Sequence, residues 1–355
     1  ISGFSLSLLG TFLVRSGILT SVHSFAADPA RGLFILIFLI LVVGVSLILY
    51  AFRAAQMRGN NNFSAISRES GLLINNILLV AAMLSVFLGT LYPLLLDALG
   101  LGKISVGAPY FDAVFVPIMV PAVIAMAIAP FLRWKKDNAV RIKKQLSKLW
   151  ISIILLFVAT LFIAQNVFIL LAYCLFIWLT LHSLILLIQR INKKGSVTMS
   201  FLGMLLAHVG IGVFLLGATV TTQNGVERDI KMEINESVNI EGYKFTFKGV
   251  EAFAERNYQG YKGHVEVHFE NNKITDLRPE KRQYNTGMPM TEAAIDPSLY
   301  RDIYVALGEP LEGNSWSLRI YYKPLVRCIW LGGILITIGA LLAAFDRRYR
   351  MRIKS

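Results

Sequence analysis

"LFILIFLILVVGVSLILYAF", residues 33–52, is a run of twenty residues without a single charge. As a helix rising 1.5 Å per residue it is about 30 Å long, the thickness of a bilayer's hydrocarbon core. A helix is also the form in which such a segment satisfies its own backbone polar groups in lipid. The stretch therefore reads as a transmembrane helix.

Working outward from it, further apolar stretches of spanning length or near it fall at 71–95, 113–132, 149–165, 167–189, 200–220 and 327–345. Residues 1–14 look like the end of another. The sequence predicts a polytopic α-helical membrane protein with about seven complete spans plus one truncated. The weakest of these is the 149–189 region, where Gln165 and Asn166 would form a very short turn and one long tilted helix is the alternative. Composition agrees: the 355 residues are 55% hydrophobic and 16% charged, with a mean hydropathy of +0.59. Because the chain opens on Ile1 inside an apolar segment, without an initiator Met or a basic leader, it reads as the later part of a longer polypeptide.

Charge gives the expected orientation. Lys and Arg in short loops stay cytoplasmic, and the segments 53–70, 133–148, 190–199 and 346–355 hold 18 of them against Glu69, Asp137 and Asp346. If 33–52 runs outside to inside, every basic segment falls on the cytoplasmic side. The net charge of +13 is then a matter of topology and contact with membrane lipid, and no nucleic acid is implied.

Residues 221–326 differ from the rest: 16 of the 22 acidic residues lie here. Period-2 runs such as "YKFTFKGVEAF", "GHVEVHFE" and "RDIYVAL" are broken by "ERNYQG" and "ENNK". The expected organisation is a transmembrane region over 1–220, a small mostly β extracytoplasmic (periplasmic) domain over 221–326, and a final span with a basic cytoplasmic tail over 327–355.

Chemistry narrows to five histidines. His208, in "FLGMLLAHVGIGVFLLGAT", falls near mid-membrane, roughly 13 Å from the inner end of its span. Gly203, Gly210, Gly212 and Gly217 thin the helix around it, either to admit something flat such as a porphyrin or to let another helix approach. His23, in "TSVHSFAADPARG", lies at the outer edge of the truncated span, between Arg15 and Arg31. Imidazole there suits axial ligation of haem iron, with the arginines answering the propionates; an ordinary interfacial loop is the plain alternative. His182 sits at a depth close to that of His208, either as a second haem ligand or as a hydrogen-bonded core residue. His264 and His268 alternate with Glu266 along one strand face, as metal ligands sometimes do, and the plainer reading is a solvated face. Cys174 and Cys328 lie in apolar runs, so there is no disulfide framework, and there is no C-x-x-C-H haem attachment motif. P-loop, G-x-S-x-G, H-E-x-x-H and G-x-G-x-x-G motifs are absent from the sequence.

The stretches "GTFLVRSGILTSVHSFAADPARG", "LGKISVGAPYFDAVFVP", "AHVGIGVFLLGAT" and "WLGGILITIGALLAAFDRRYR" closely resemble the CcmF/NrfE haem lyase family of cytochrome c-type biogenesis proteins, from residue 1 to the end. The resemblance implies a role in bacterial cytochrome c maturation at the inner (cytoplasmic) membrane. Such proteins take haem from the chaperone CcmE and, with the thiol-handling partner CcmH, join it by thioether bonds to the C-x-x-C-H of apocytochrome c. By that likeness His23 is the catalytic axial ligand to the arriving haem, the substrate, and His208 an axial ligand to a b-type haem (haem b) buried in the membrane as reductant. The family's tryptophan-rich segment and the partner histidines are not present in this sequence. The rival reading is a transporter or flippase for haem or another amphiphile.

Overall fold

The computed structural model describes residues 1–16, 28–57, 63–102, 104–144, 147, 154, 158, 166–285, 287 and 289–346. Two compact units emerge, one of residues 1–120 with 134–136, the other of 121–133 with 137–355.

In the first unit, α1 (Ser2–Ser16) is followed by α2 (Pro29–Arg53) and α3 (Arg68–Ala98), and α4 (Ala108–Ile128) begins. The starts of α2 and α3 follow capping rules. Asp28 takes an extended backbone, its carboxylate accepts from the Arg31 amide at 3.2 Å, and Pro29 follows. Ser67 accepts from the Ser70 amide at 3.1 Å in the same way.

The second unit contains α5 (Val167–Asn192), α6 (Met199–Asn224) and α7 (Val326–Ala344), with a β-domain inserted between α6 and α7. Asn166 and Thr198 cap α5 and α6 through the amides of Ile169 and Phe201. α6 and α7 run antiparallel with touching backbones. Gly203 meets Gly339, Gly210 meets Gly332 and Gly217 meets Cys328, so glycines seven residues apart line the seam.

Among the described residues six helices, at 29–56, 68–98, 108–131, 167–192, 199–224 and 326–344, are long and apolar enough to cross a membrane. They match six of the seven expected spans, with boundaries shifted by a few residues. The expected span at 149–165 lies almost wholly outside the described residues.

The β-domain is a sandwich whose described residues form ten strands: β1 (Val226–Glu233), β2 (Ser237–Ile240), β3 (Tyr243–Ala254), β4 (Tyr258–Phe269), β5 (Asn272–Leu277), β6 (Glu280–Tyr284), β7 (Met290–Glu292), β8 (Ala294–Pro297), β9 (Arg301–Pro310) and β10 (Ser315–Pro324). One sheet has the order β1-β10-β9-β8; the other has β2-β3-β4-β6-β7, with β5 also paired to β4. All pairs are antiparallel. The period-2 runs bury alternate residues, and Phe245, Phe247, Val265, Val267, Ile303, Val305, Leu318 and Ile320 close a dry core between the sheets. The expected interruptions are shorter than the sequence implied, since Tyr258 already belongs to β4 and Asn272 to β5.

Candidate functional site

In the opening segment of the chain the end of α1 meets the start of α2. The Asp28 amide donates to the Arg15 carbonyl at 2.9 Å. A Cβ on Gly32 would lie 2.8 Å from the Ser16 Cα, so α1 and α2 touch where glycine alone permits it. The backbones flanking residues 17–27 are thereby pinned, with Arg15 and Arg31 on either side. Arg15 is half-buried, while the Arg31 guanidinium is largely exposed and pairs with Asp28 at 3.2 Å. An exposed pair of that kind is weak, so Arg31 can turn to another anion at little cost. His23 lies outside the described residues. Beside Arg15, the α1 residues Gly10, Leu13 and Val14 form one wall of a mostly apolar cleft of about 710 Å³; Gly89, Pro93, Asp97 and Phe111 form much of the rest. Its volume is that of a small-molecule or cofactor site.

His208 stands on α6, half-buried, and its imidazole makes no hydrogen bond with a described residue. It is two residues, or about 200° of helical rotation, from Gly210, which places it on the side of α6 away from α7. Of the two readings of the four glycines, room for a flat ligand or approach of another helix, the packing favours the second. Gly203, Gly210 and Gly217 are filled by the backbone of α7, because only a residue without Cβ admits such contact. A Cβ on Gly212 would meet the Phe176 ring of α5 at 3.2 Å. The signal that would have assigned the first three was the matching seven-residue spacing of Gly332 and Gly339.

His182 is fully buried. Its Nδ1 lies 2.8 Å from the Trp178 carbonyl, and its ring packs 3.9 Å from the Trp178 ring and edge-on to Phe131 at 5.7 Å. Nε2 has no partner among the described residues. Trp178 is itself anchored, donating from Nε1 to the Ile124 carbonyl at 3.1 Å.

On the sandwich, His264 and Glu266 of β4 meet Asp276 of β5, with their ligand atoms within 4.8 Å of one another. The charges are already balanced. Lys273 lies 2.9 Å from Asp276 and 3.3 Å from Glu266, Lys248 lies 3.5 Å from Glu266, and His264 Nε2 is 3.0 Å from Asp276. Lys273 and then His264 hold the Asp276 carboxyl below its usual range. The ammonium occupies the place a cation would take, which accords with a solvated strand face.

Apolar helices of spanning length, with a β-sandwich inserted between α6 and α7 and a half-buried histidine inside α6, define a multi-pass membrane protein with an extramembrane domain. Residues 223–324 match the family model described as the CcmF C-terminal beta-sandwich. The chain is 44% identical to the cytochrome c-type biogenesis protein CcmF of Escherichia coli, over 99% of this chain and 55% of that protein. It is 45% identical to CcmF of Pseudomonas aeruginosa, over 100% and 55% respectively, and 34% identical to NrfE of Haemophilus influenzae, over 97% and 55%. A solved structure named cytochrome c heme lyase CcmF superposes with a TM-score of 0.77 at 21% identity, covering 96% of this chain and 53% of that one, and so shares its fold. The chain belongs to the CcmF family of cytochrome c-type biogenesis proteins. It spans about half the length of the curated relatives it matches.

Proposed function

We propose that this chain is the haem lyase module of bacterial cytochrome c maturation, a multi-pass protein of the inner membrane with residues 221–326 in the periplasm. The observation that carries the reading is the 44% identity to a cytochrome c-type biogenesis protein, sustained over 99% of the chain. Haem arrives from CcmE, CcmH keeps the apocytochrome cysteines as thiols, and each thiol adds across one haem vinyl group. The sulfur bonds to one vinyl carbon and the thiol hydrogen ends on the other.

In that reaction the protein acts mainly by positioning. His23 is the axial ligand that fixes the substrate's iron. Arg15 and Arg31 hold the propionates by charge-assisted hydrogen bonds, Arg31 by leaving its exposed partner Asp28. The mostly apolar cleft next to Arg15 in sequence gives the macrocycle an apolar wall.

His208 would hold the iron of a b-type haem, because it is a half-buried intramembrane imidazole that makes no hydrogen bond with a described residue, on the side of α6 away from α7. That haem would supply electrons that keep the substrate iron ferrous. His182 is enclosed by Trp178 and Phe131 and is left out of the assignment.

Covalent haem in a reporter cytochrome c tests the proposal. His23→Ala should abolish it while the b-type spectrum persists. Arg15→Ala and Arg31→Ala should lower it less, since a charge-assisted bond contributes roughly 1.5–3 kcal/mol and the axial ligand remains. Normal maturation by His23→Ala would refute the ligand role.

A further inference from the structure

We propose that the turn between β8 and β9, Ser298-Leu299-Tyr300, is a membrane anchor of the sandwich, seated in the lipid of the leaflet on the sandwich side. The argument starts from the connections between sheet and helices. β1 follows α6, and its first residue, Val226, pairs with Tyr322 of β10; β10 in turn runs into α7. Arg301, the first residue of β9, pairs with Pro324, the last of β10. One end of this sheet therefore carries both helices, and the β8–β9 turn projects from that same end.

Its depth is set by α7. That helix has 19 residues, about 28 Å at 1.5 Å per residue, so it spans the hydrocarbon with no turn to spare. Val326 consequently lies at the hydrocarbon boundary. The preceding residue, Leu325, donates its amide to the Tyr300 carbonyl at 2.9 Å, which fixes the turn at that level.

The turn is firmly held. Ser298 donates its amide to the Arg301 carbonyl at 2.9 Å and to Asp302 Oδ1 at 3.1 Å. Asp302 also takes Arg327 Nε, from the first turn of α7, at 2.9 Å. Arg301 stacks 5.6 Å from the Tyr300 ring. On this fixed support Leu299 is 86% exposed and Tyr300 60% exposed.

An exposed leucine and tyrosine at the level where a span begins are what the apolar and headgroup layers of a bilayer accommodate. The turns at the same end of the other sheet, Glu241-Gly242 and Glu270-Asn271, are polar, so the apolar tip belongs to the sheet that bears the spans.

The test places a nitroxide at position 299 (Leu299→Cys) in a Cys174→Ala, Cys328→Ala background, in nanodiscs of phosphatidylcholine and phosphatidylglycerol. References are Leu331→Cys, on the exposed surface of α7, and Asn314→Cys, in the exposed β9–β10 turn at the far end of the sandwich. Collision with oxygen, which concentrates in lipid, is compared with collision with a water-soluble nickel chelate. The label at 299 should prefer oxygen, as at 331, while 314 prefers nickel. A nickel preference at 299 equal to that at 314 would place the turn in water and overturn the proposal. So would shielding from both reagents, which would mean that protein rather than lipid covers it.

Discussion

Gly210 of α6 and Gly332 of α7 pass so closely that a Cβ on Gly210 would stand 2.9 Å from the Gly332 carbonyl oxygen. Lipid tails are as apolar as leucine, so helices in a bilayer gain by close packing rather than by escaping water. The contact makes α6 and α7 one unit, and the sandwich hangs from both.

Gly332→Val should therefore separate the two helices, with a cost of at least the 1–3 kcal/mol typical of overpacking. Gly333→Val, one residue on, should be tolerated, because a Cβ there meets nothing within 4 Å. Melting temperatures of the two variants in the same detergent would check this, and equal losses would contradict the packing.

Arg301 is 2% exposed in the sandwich, where it donates to the Tyr243 hydroxyl at 3.1 Å and pairs with Asp296. Removing the buried guanidinium strands the half-buried Asp296 and takes a donor from the Tyr243 hydroxyl, so Arg301→Ala should destabilise the domain by roughly 1–3 kcal/mol. Arg319→Ala breaks an exposed pair with Asp229 and should change little. Chemical denaturation followed through the sandwich's Trp316 would separate the two.

The contrast shows which features the sequence discloses. Uncharged runs of about twenty residues and period-2 alternation are patterns along one element, and six helices and the strands β3, β4 and β9 were legible from them. Strand order, the α6–α7 seam and the Arg301 network each depend on residues far apart in the chain. Arg301 sits in "SLYRDIYVAL" like any surface arginine, and nothing local announces Tyr243 or Asp296. His182 and His208 fall at similar depths by sequence, but only packing distinguishes an enclosed ring from a half-buried one.

Orientation rests on the basic loops and is checked by labelling. Cysteines at Asn257, exposed on the sandwich, and Asn138, exposed beside the basic stretch 133–144, should react with an impermeant maleimide from opposite faces of sealed vesicles. Reaction from one face would overturn the orientation and the periplasmic placement of His23 together.

The two intramembrane histidines give the sharpest contrast. His208 is half-buried, faces away from α7 and forms no hydrogen bond with a described residue. His182 is wholly enclosed, with Nδ1 committed to Trp178 and Nε2 unpartnered among the described residues. His208→Ala should eliminate b-type absorption while the protein stays inserted, because the spans keep their apolar surface. His182→Leu should keep the spectrum. It exchanges an incompletely satisfied polar ring for an apolar group, a change that is often nearly neutral for stability when the shape is filled. Reduced-minus-oxidised spectra and haem extraction from the purified variants, with circular dichroism as a check on folding, decide between them. Loss of the signal in His182→Leu and its survival in His208→Ala would move the ligand to α5. The groove around Phe131 and Trp178 would then have to open to admit the macrocycle, against the packing seen here.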